Sequence, residues 1–389
     1  MTLVGASDPL RQRGRTALIA LVWIGGVAGA IGVVAVSLVA GEPRGSALAL
    51  FYAALPVPVL WFCFWWLDRV EPEPRRYIWA AFIWGAVPAV LIGITLELVA
   101  DRFLQVGENF LIAVAAPLAE ESAKGAFLLL TFLRARRTIN GVLDGIILAG
   151  VAAFGFATVE NVLYYAGAWS DVESLPLNMT SAQATTATFI MRGLVTPLAH
   201  PLFTSALGIA IGVALLVRPR IAKLSIIVAG WLISVSLHAL WNGSIVLFGG
   251  WGLLVAYLVL MVYLVAVTTV AIVLRVRASR TAVRALTHVA ARGWLHPDEV
   301  PYLANLHYRR VARSFAKANY GKEAAAILKQ YQNLATELAF EYDRSMRTGL
   351  PGAQPRPYGV QRTHALLDAM WALRAGVRLP PPLYGQPGR

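Results

Sequence analysis

Long apolar runs alternate with short polar interruptions from residue 16 to residue 274, and this alternation predicts a series of membrane-spanning helices. A helix needs about 20 apolar residues to cross about 30 Å of hydrocarbon. Eight segments meet that requirement: Thr16–Ala40, Ser46–Leu67, Tyr77–Ala100, Asn109–Leu133, Gly141–Tyr165, Gly193–Val217, Leu224–Phe248 and Leu253–Leu274. The fourth carries charges that lower its hydropathy. The first follows Arg11, Arg13 and Arg15, but its apolar stretch exceeds the roughly 7–15 residues of a signal-peptide core, so it reads as a retained span. The expected fold class is all-α: a polytopic membrane helix bundle of about eight transmembrane helices with a C-terminal helical cytoplasmic extension.

Basic residues set the orientation. They precede span one and recur between spans two and three (Arg69, Arg75, Arg76), four and five (Arg134, Arg136, Arg137), six and seven (Arg218, Arg220, Lys223), and after span eight (Arg275, Arg277, Arg280). The alternate loops carry only Arg44, Arg102 and Arg192. This places both termini in the cytoplasm and divides the chain into a cytoplasmic segment 1–15, a membrane domain 16–274 and a basic helical domain 275–389 with a Pro-rich end. Ala166–Met191 reads as one long outer loop. In the last domain, His296-Pro297-Asp298-Glu299 marks a helix start, Gly321–Arg347 has helical periodicity, and a short helix is expected over Arg362–Ala375.

Composition sharpens this picture. The 389 residues are 58% hydrophobic and 14% charged, against about 25% charged for soluble domains, so lipid is part of the solvent. The net charge of +13 lies in short loops and in the C-terminal tail, which points to anionic lipid headgroups of the bilayer and away from nucleic acid. The single cysteine, Cys63, lies in an apolar run and excludes an internal disulfide or a Cys-based metal site.

Ionisable residues inside spans are costly and mark functional sites by default. Span four holds Glu120, Glu121 and Lys124, with Glu120 and Lys124 an i,i+4 pair. Span five holds Glu160 and Asn161 one turn after Phe156. Span six holds His200 between Pro197 and Pro201, where freed backbone carbonyls suit a cavity wall. Span seven holds His238 and Asn242 on one face. Counted at about 1.5 Å per residue, the acids of span four fall near mid-bilayer, and Glu160, His200 and His238 fall somewhat outward, within a slab on the order of 10 Å. Spans one, two, three and eight carry no such cluster.

Two chemistries fit these residues. His200, His238, Glu120 and Glu160 are suitable zinc ligands, and an open zinc site lowers the pKa of bound water to about 7. There is no HExxH spacing to favour a metal. Without metal, a buried glutamate takes a proton from water, with His200 or His238 assisting and Asn242 donating to the oxyanion.

Glu120-Glu121-Ser122-Ala123-Lys124 resembles the EExxK motif of the PrsW family, and Phe156 to Glu160-Asn161 its FxxxEN motif. His200 and the His238, Trp241, Asn242 segment resemble its two histidine motifs, and Asp144-Gly145 and Arg192 sit where similar members have them. The resemblance covers roughly Thr16–Leu274. It implies a bacterial plasma-membrane protease, related to CAAX prenyl endopeptidases and bacteriocin-immunity proteins, that cleaves a membrane-protein substrate such as an anti-sigma factor in stress signalling. It further implies that Glu120 and Glu121 activate water, that Lys124, Glu160 and Asn161 belong to the site, that His200 and His238 bind metal or polarise the carbonyl, and that Asn242 holds the oxyanion. The long soluble tail departs from the family pattern. The competing readings are a proton- or ion-coupled transporter, against which no internal repeat is found, and a non-catalytic membrane-binding protein.

Overall fold

A computed structural model describes residues 43–105, 107–134, 141–171, 179–347 and 357–382. The expected first span lies outside them, as do Arg136, Arg137 and most of the expected Leu350–Gly359 loop. The described residues are helical and contain no strand. Six helices among them are long and apolar enough to cross a membrane. The expected fourth span is not among the six, because Glu120, Glu121 and Lys124 interrupt its apolar run; it is nevertheless helical, over Glu108–Phe110, Leu111–Ala115 and Ala116–Arg134.

The chain divides into two compact units, one of residues 43–68 and 73–272 and the other of residues 69–72 and 273–382 among those described. In the membrane unit, α1 (Pro43–Ala54) and α2 (Val57–Asp68) form the expected second span. The third is α3 (Arg75–Trp84), a π-helical stretch Gly85–Ala89 and α4 (Val90–Leu104). Pro88 sits in that stretch, where its missing N–H and ring widen the helix locally. The fourth span ends in α5 (Ala116–Arg134) and the fifth is α6 (Val142–Ser170).

The expected outer loop is shorter than predicted. Ser181–Phe189 forms a helix, α7, because Thr180 and Gln183 build a capping box: Thr180 Oγ1 accepts from the Gln183 N–H, and Gln183 Oε1 accepts from the Thr180 N–H at 2.9 Å. A π-helical turn Ile190–Val195 and an irregular Thr196 separate α7 from α8 (Ala199–Ala214), which carries Pro201 in its first turn, a position that tolerates proline. Spans seven and eight lie in one long helix, α9 (Arg220–Ala291), broken at Gly249, whose φ of 59° suits glycine.

α6 is the centre of this unit and is buried along most of its length. Its contact with α8 is made backbone to backbone. A Cβ on Gly145 would stand 2.1 Å from the Gly208 carbonyl oxygen, and one on Gly208 would stand 2.3 Å from that of Gly145. Small residues permit such close crossings between membrane helices. This crossing fixes the spacing of Glu160 on α6 and His200 on α8.

The second unit comprises the end of α9, α10 (Val300–Ala304), α11 (Leu306–Arg347, with a non-helical Gly321) and α12 (Pro357–Leu373). Its core includes Leu286, Val289, Leu303, Tyr331, Leu338 and Met370. The buried Glu299 accepts from the Tyr331 hydroxyl at 2.9 Å and pairs with Arg374. Burial and the adjacent Glu299 carboxylate raise the Tyr331 phenol above its ordinary range. Burial and the neighbouring Arg313 lower Arg309 to about 10.

Candidate functional site

The polar residues predicted on four spans converge in one cluster inside the membrane unit. α5 presents Glu120, Glu121 and Lys124 on a buried face. Lys124 Nζ lies 2.6 Å from Glu121 Oε1 and 3.3 Å from Glu120 Oε2, and its side chain is 0% exposed. It also stands 4.2 Å from the Phe156 ring centroid, on the negative face of the quadrupole.

Glu121 is saturated with donors. Besides Lys124, its carboxylate accepts from Thr204 Oγ1 at 2.8 Å, from Ser234 Oγ at 2.6 Å and from His238 Nδ1 at 3.1 Å. A carboxylate accepts and never donates, so His238 carries its proton on Nδ1 and turns the Nε2 lone pair the other way. That lone pair lies 4.0 Å from Glu120 Oε2.

His200 is fixed by the same logic. The Lys124 ammonium only donates, and it lies 3.2 Å from His200 Nδ1. Nδ1 therefore accepts, and the Nε2–H donates to Glu160 Oε2 at 2.8 Å. Nδ1 lies 3.9 Å from the same Glu120 oxygen. Glu160 is held in turn by Arg192 Nη2 at 2.5 Å, while Arg192 Nε donates to Asn161 Oδ1 at 2.8 Å and its guanidinium lies 3.7 Å over the Tyr164 ring. Phe203 stacks on His238 at 4.7 Å between centroids.

Glu120, His200 and His238 thus bring one ligand atom each within 4.8 Å of one another, all three buried. Each histidine gives one ring nitrogen to a carboxylate; the other nitrogen lies 4.0 Å from Glu120 Oε2 in His238, and 3.9 Å from the same oxygen in His200, where it also accepts from Lys124. That is the carboxylate–histidine arrangement that orients metal ligands. Two imidazoles and one carboxylate are also the donor set of a catalytic zinc with an open position. The chemistry of the donors fits a divalent transition metal. Glu160, expected as a fourth ligand, lies outside this group and holds His200 from behind.

Asn161 and Asn242 take other partners. Asn161 is bound by Arg192. Asn242 Nδ2 donates to the Ile112 carbonyl at 3.2 Å, in the π-helical stretch Leu111–Ala115. The sequence reading passed over Glu97. It lies on α4, within an apolar span, and its carboxylate oxygen shares the space beside Gly93 with Glu120. The signal was present: a lone acid between Leu96 and Leu98 in a membrane run.

Fold and site together define a multi-pass membrane protein with a carboxylate–histidine cluster enclosed by its helices. The family described as PrsW family intramembrane metalloprotease matches residues 73–268, and the chain belongs to that family. Protease PrsW of Clostridioides difficile (strain 630) is 31% identical over 166 residues, which cover 41% of this chain and 64% of that relative. No solved structure matches the chain.

Proposed function

We propose that this protein is an intramembrane protease that hydrolyses a peptide bond of a membrane-protein substrate in a bacterial plasma membrane, with both termini cytoplasmic. The observation that carries the reading is the pair of histidines, each tied to a carboxylate through one ring nitrogen and each with its other nitrogen within 4.0 Å of Glu120 Oε2. Family membership supports the reaction class.

In this reading Glu120, His200 and His238 would hold a zinc ion, which would supply Lewis-acid activation of water and of the scissile carbonyl. Glu121 fixes the His238 tautomer, and Glu160 fixes that of His200. Arg192 holds Glu160 in place by pairing with it. Burial of the cluster excludes bulk water and strengthens each of these interactions. A membrane-bound anti-sigma factor is the first substrate class to try. The basic C-terminal unit is assigned to anionic lipid headgroups.

The position of Lys124 favours a second reading. Its ammonium stands beside the His200 lone pair and both adjacent carboxylates, so it balances charge where a metal otherwise does. A glutamate would then activate water directly.

Elemental mass spectrometry of detergent-purified wild type, His200→Ala and His238→Ala separates the two. Near-stoichiometric zinc that is lost in both variants supports the metal reading. An active, folded preparation without metal refutes it and leaves glutamate-activated water. Proteolysis itself is tested by mapping new N-termini in membranes of cells that express wild type or Glu120→Gln. Termini that depend on wild type support the reading, and identical maps refute it.

A further inference from the structure

We propose that Glu97 is the general base of the hydrolysis, an inference that rests on the protease reading and assigns a role to a carboxylate outside the four polar spans. The other three carboxylates of the cluster are committed. Glu120 belongs to the ligand group. Glu121 accepts from Lys124, Thr204, Ser234 and His238. Glu160 accepts from His200 and Arg192. A proton acceptor for water must have a free oxygen within reach of the reacting centre.

Glu97 offers a carboxylate oxygen beside Glu120, a member of that group. It makes no hydrogen bond and no ion pair with another described residue. A Cβ built on Gly93, one turn earlier on α4, would stand 3.9 Å from Glu97 Oε1 and 3.5 Å from Glu120 Cγ. The Glu97 carboxylate and the Glu120 side chain therefore lie against the same side of Gly93. Glu97 lies within electrostatic reach of Glu160, Lys124 and Glu120. A half-buried acid facing other charges inside a span is an expensive arrangement to keep for packing alone.

The step balances without any added reactant. A water O–H bond breaks, and its proton passes to a Glu97 carboxylate oxygen as the water oxygen bonds to the scissile carbonyl carbon. When the C–N bond breaks, the same proton passes from Glu97 to the leaving amine nitrogen.

The test uses full-length protein in detergent, acting on solubilised membrane protein from cells that lack it, with new N-termini quantified over time and bound zinc measured on the same samples. Glu97→Gln should keep the metal content and thermal midpoint of wild type while cleavage slows about 100- to 10,000-fold, the usual contribution of a general base. Glu97→Asp should recover part of that loss, and Glu108→Gln, an exposed acid outside the cluster, should cleave as wild type does. Undiminished cleavage by Glu97→Gln overturns the assignment, and so does loss of its metal, which would make Glu97 a ligand. If Glu97→Gln does not fold, Glu97→Asp decides, because it keeps a carboxylate but withdraws it by one methylene. Slowed cleavage at wild-type metal content then supports the role, and unchanged cleavage overturns it. Absence of cleavage by wild type refutes the protease reading itself.

Discussion

Glu120 and Glu121 are adjacent and equally expected from the sequence to activate water, yet their surroundings predict opposite consequences on removal. Glu121→Ala takes away the acceptor of four groups: the Lys124 ammonium, the Thr204 and Ser234 hydroxyls and the His238 N–H. Breaking a buried ion pair from one side costs about 3–5 kcal/mol. A buried donor left without an acceptor adds about 1–3 kcal/mol. The two hydroxyls can turn to carbonyls of their own helices, and Lys124 keeps Glu120 at 3.3 Å, so the low end of the ion-pair range, about 3 kcal/mol, is the defensible floor. Glu120→Ala removes one long contact with Lys124 and leaves Glu121 in place, which predicts about 1 kcal/mol.

Thermal unfolding in detergent, followed by tryptophan fluorescence with every sample in excess chelator, isolates these terms from metal linkage. At about 2–4 °C per kcal/mol for a unit of this size, Glu121→Ala should melt at least 6 °C below wild type and Glu120→Ala within about 4 °C. Adding Lys124→Met to Glu121→Ala should raise the midpoint again, because the double variant no longer buries an uncompensated charge. A Glu121→Ala midpoint equal to wild type, or one matched by Glu120→Ala, would refute the reasoning.

Glu160→Gln should weaken zinc binding about 10- to 100-fold without abolishing it, measured by competition with a chelator, because it disorders His200 but removes no ligand. Arg192→Lys should behave like Arg192→Ala in cleavage assays, since an ammonium cannot reach Glu160 and Asn161 together and also stack on Tyr164. Gly208→Ala should lower the midpoint by forcing α6 and α8 apart, at a cost of about 1–3 kcal/mol or more, read in the same melting assay. In the C-terminal unit, the raised Tyr331 phenol favours the neutral form on folding. That stabilisation is complete below about pH 10 and is lost as pH rises beyond it; hydrogen exchange of α11 should loosen above that pH, and less steeply in Tyr331→Phe.

What the sequence made legible follows from which signals are local. Apolar run length announces a span residue by residue, so the helical bundle was readable from composition alone. Proximity of Glu120, His200 and His238 was readable only as shared depth, because rotation of each helix about its axis is set by partners such as Gly145 and Gly208. Shared depth cannot say that Asn242 turns to Ile112 or that Glu160 lies behind His200. The helix Ser181–Phe189 was hidden for another reason: its Ser, Thr and Ala composition resembles a loop, and only the Thr180–Gln183 pairing reveals the cap. Glu97 was overlooked because a single acid in an apolar run gives no pattern until a neighbouring helix supplies one.

The balance of formal charge bears on both competing readings. Glu97, Glu120, Glu121 and Glu160 face two permanent cations, Lys124 and Arg192, in surroundings that screen poorly. Each cation is anchored where it stands, Lys124 by Glu121 at 2.6 Å and Arg192 by both Glu160 and Asn161. The two histidines carry fixed tautomers and add no charge in that state. A proton path for transport needs histidines free to exchange their bound nitrogen, whereas here both N–H groups are tied to acids that are themselves held by several partners. Histidines held by carboxylates that are themselves held by several partners favour a fixed site over a relay of exchanging protons.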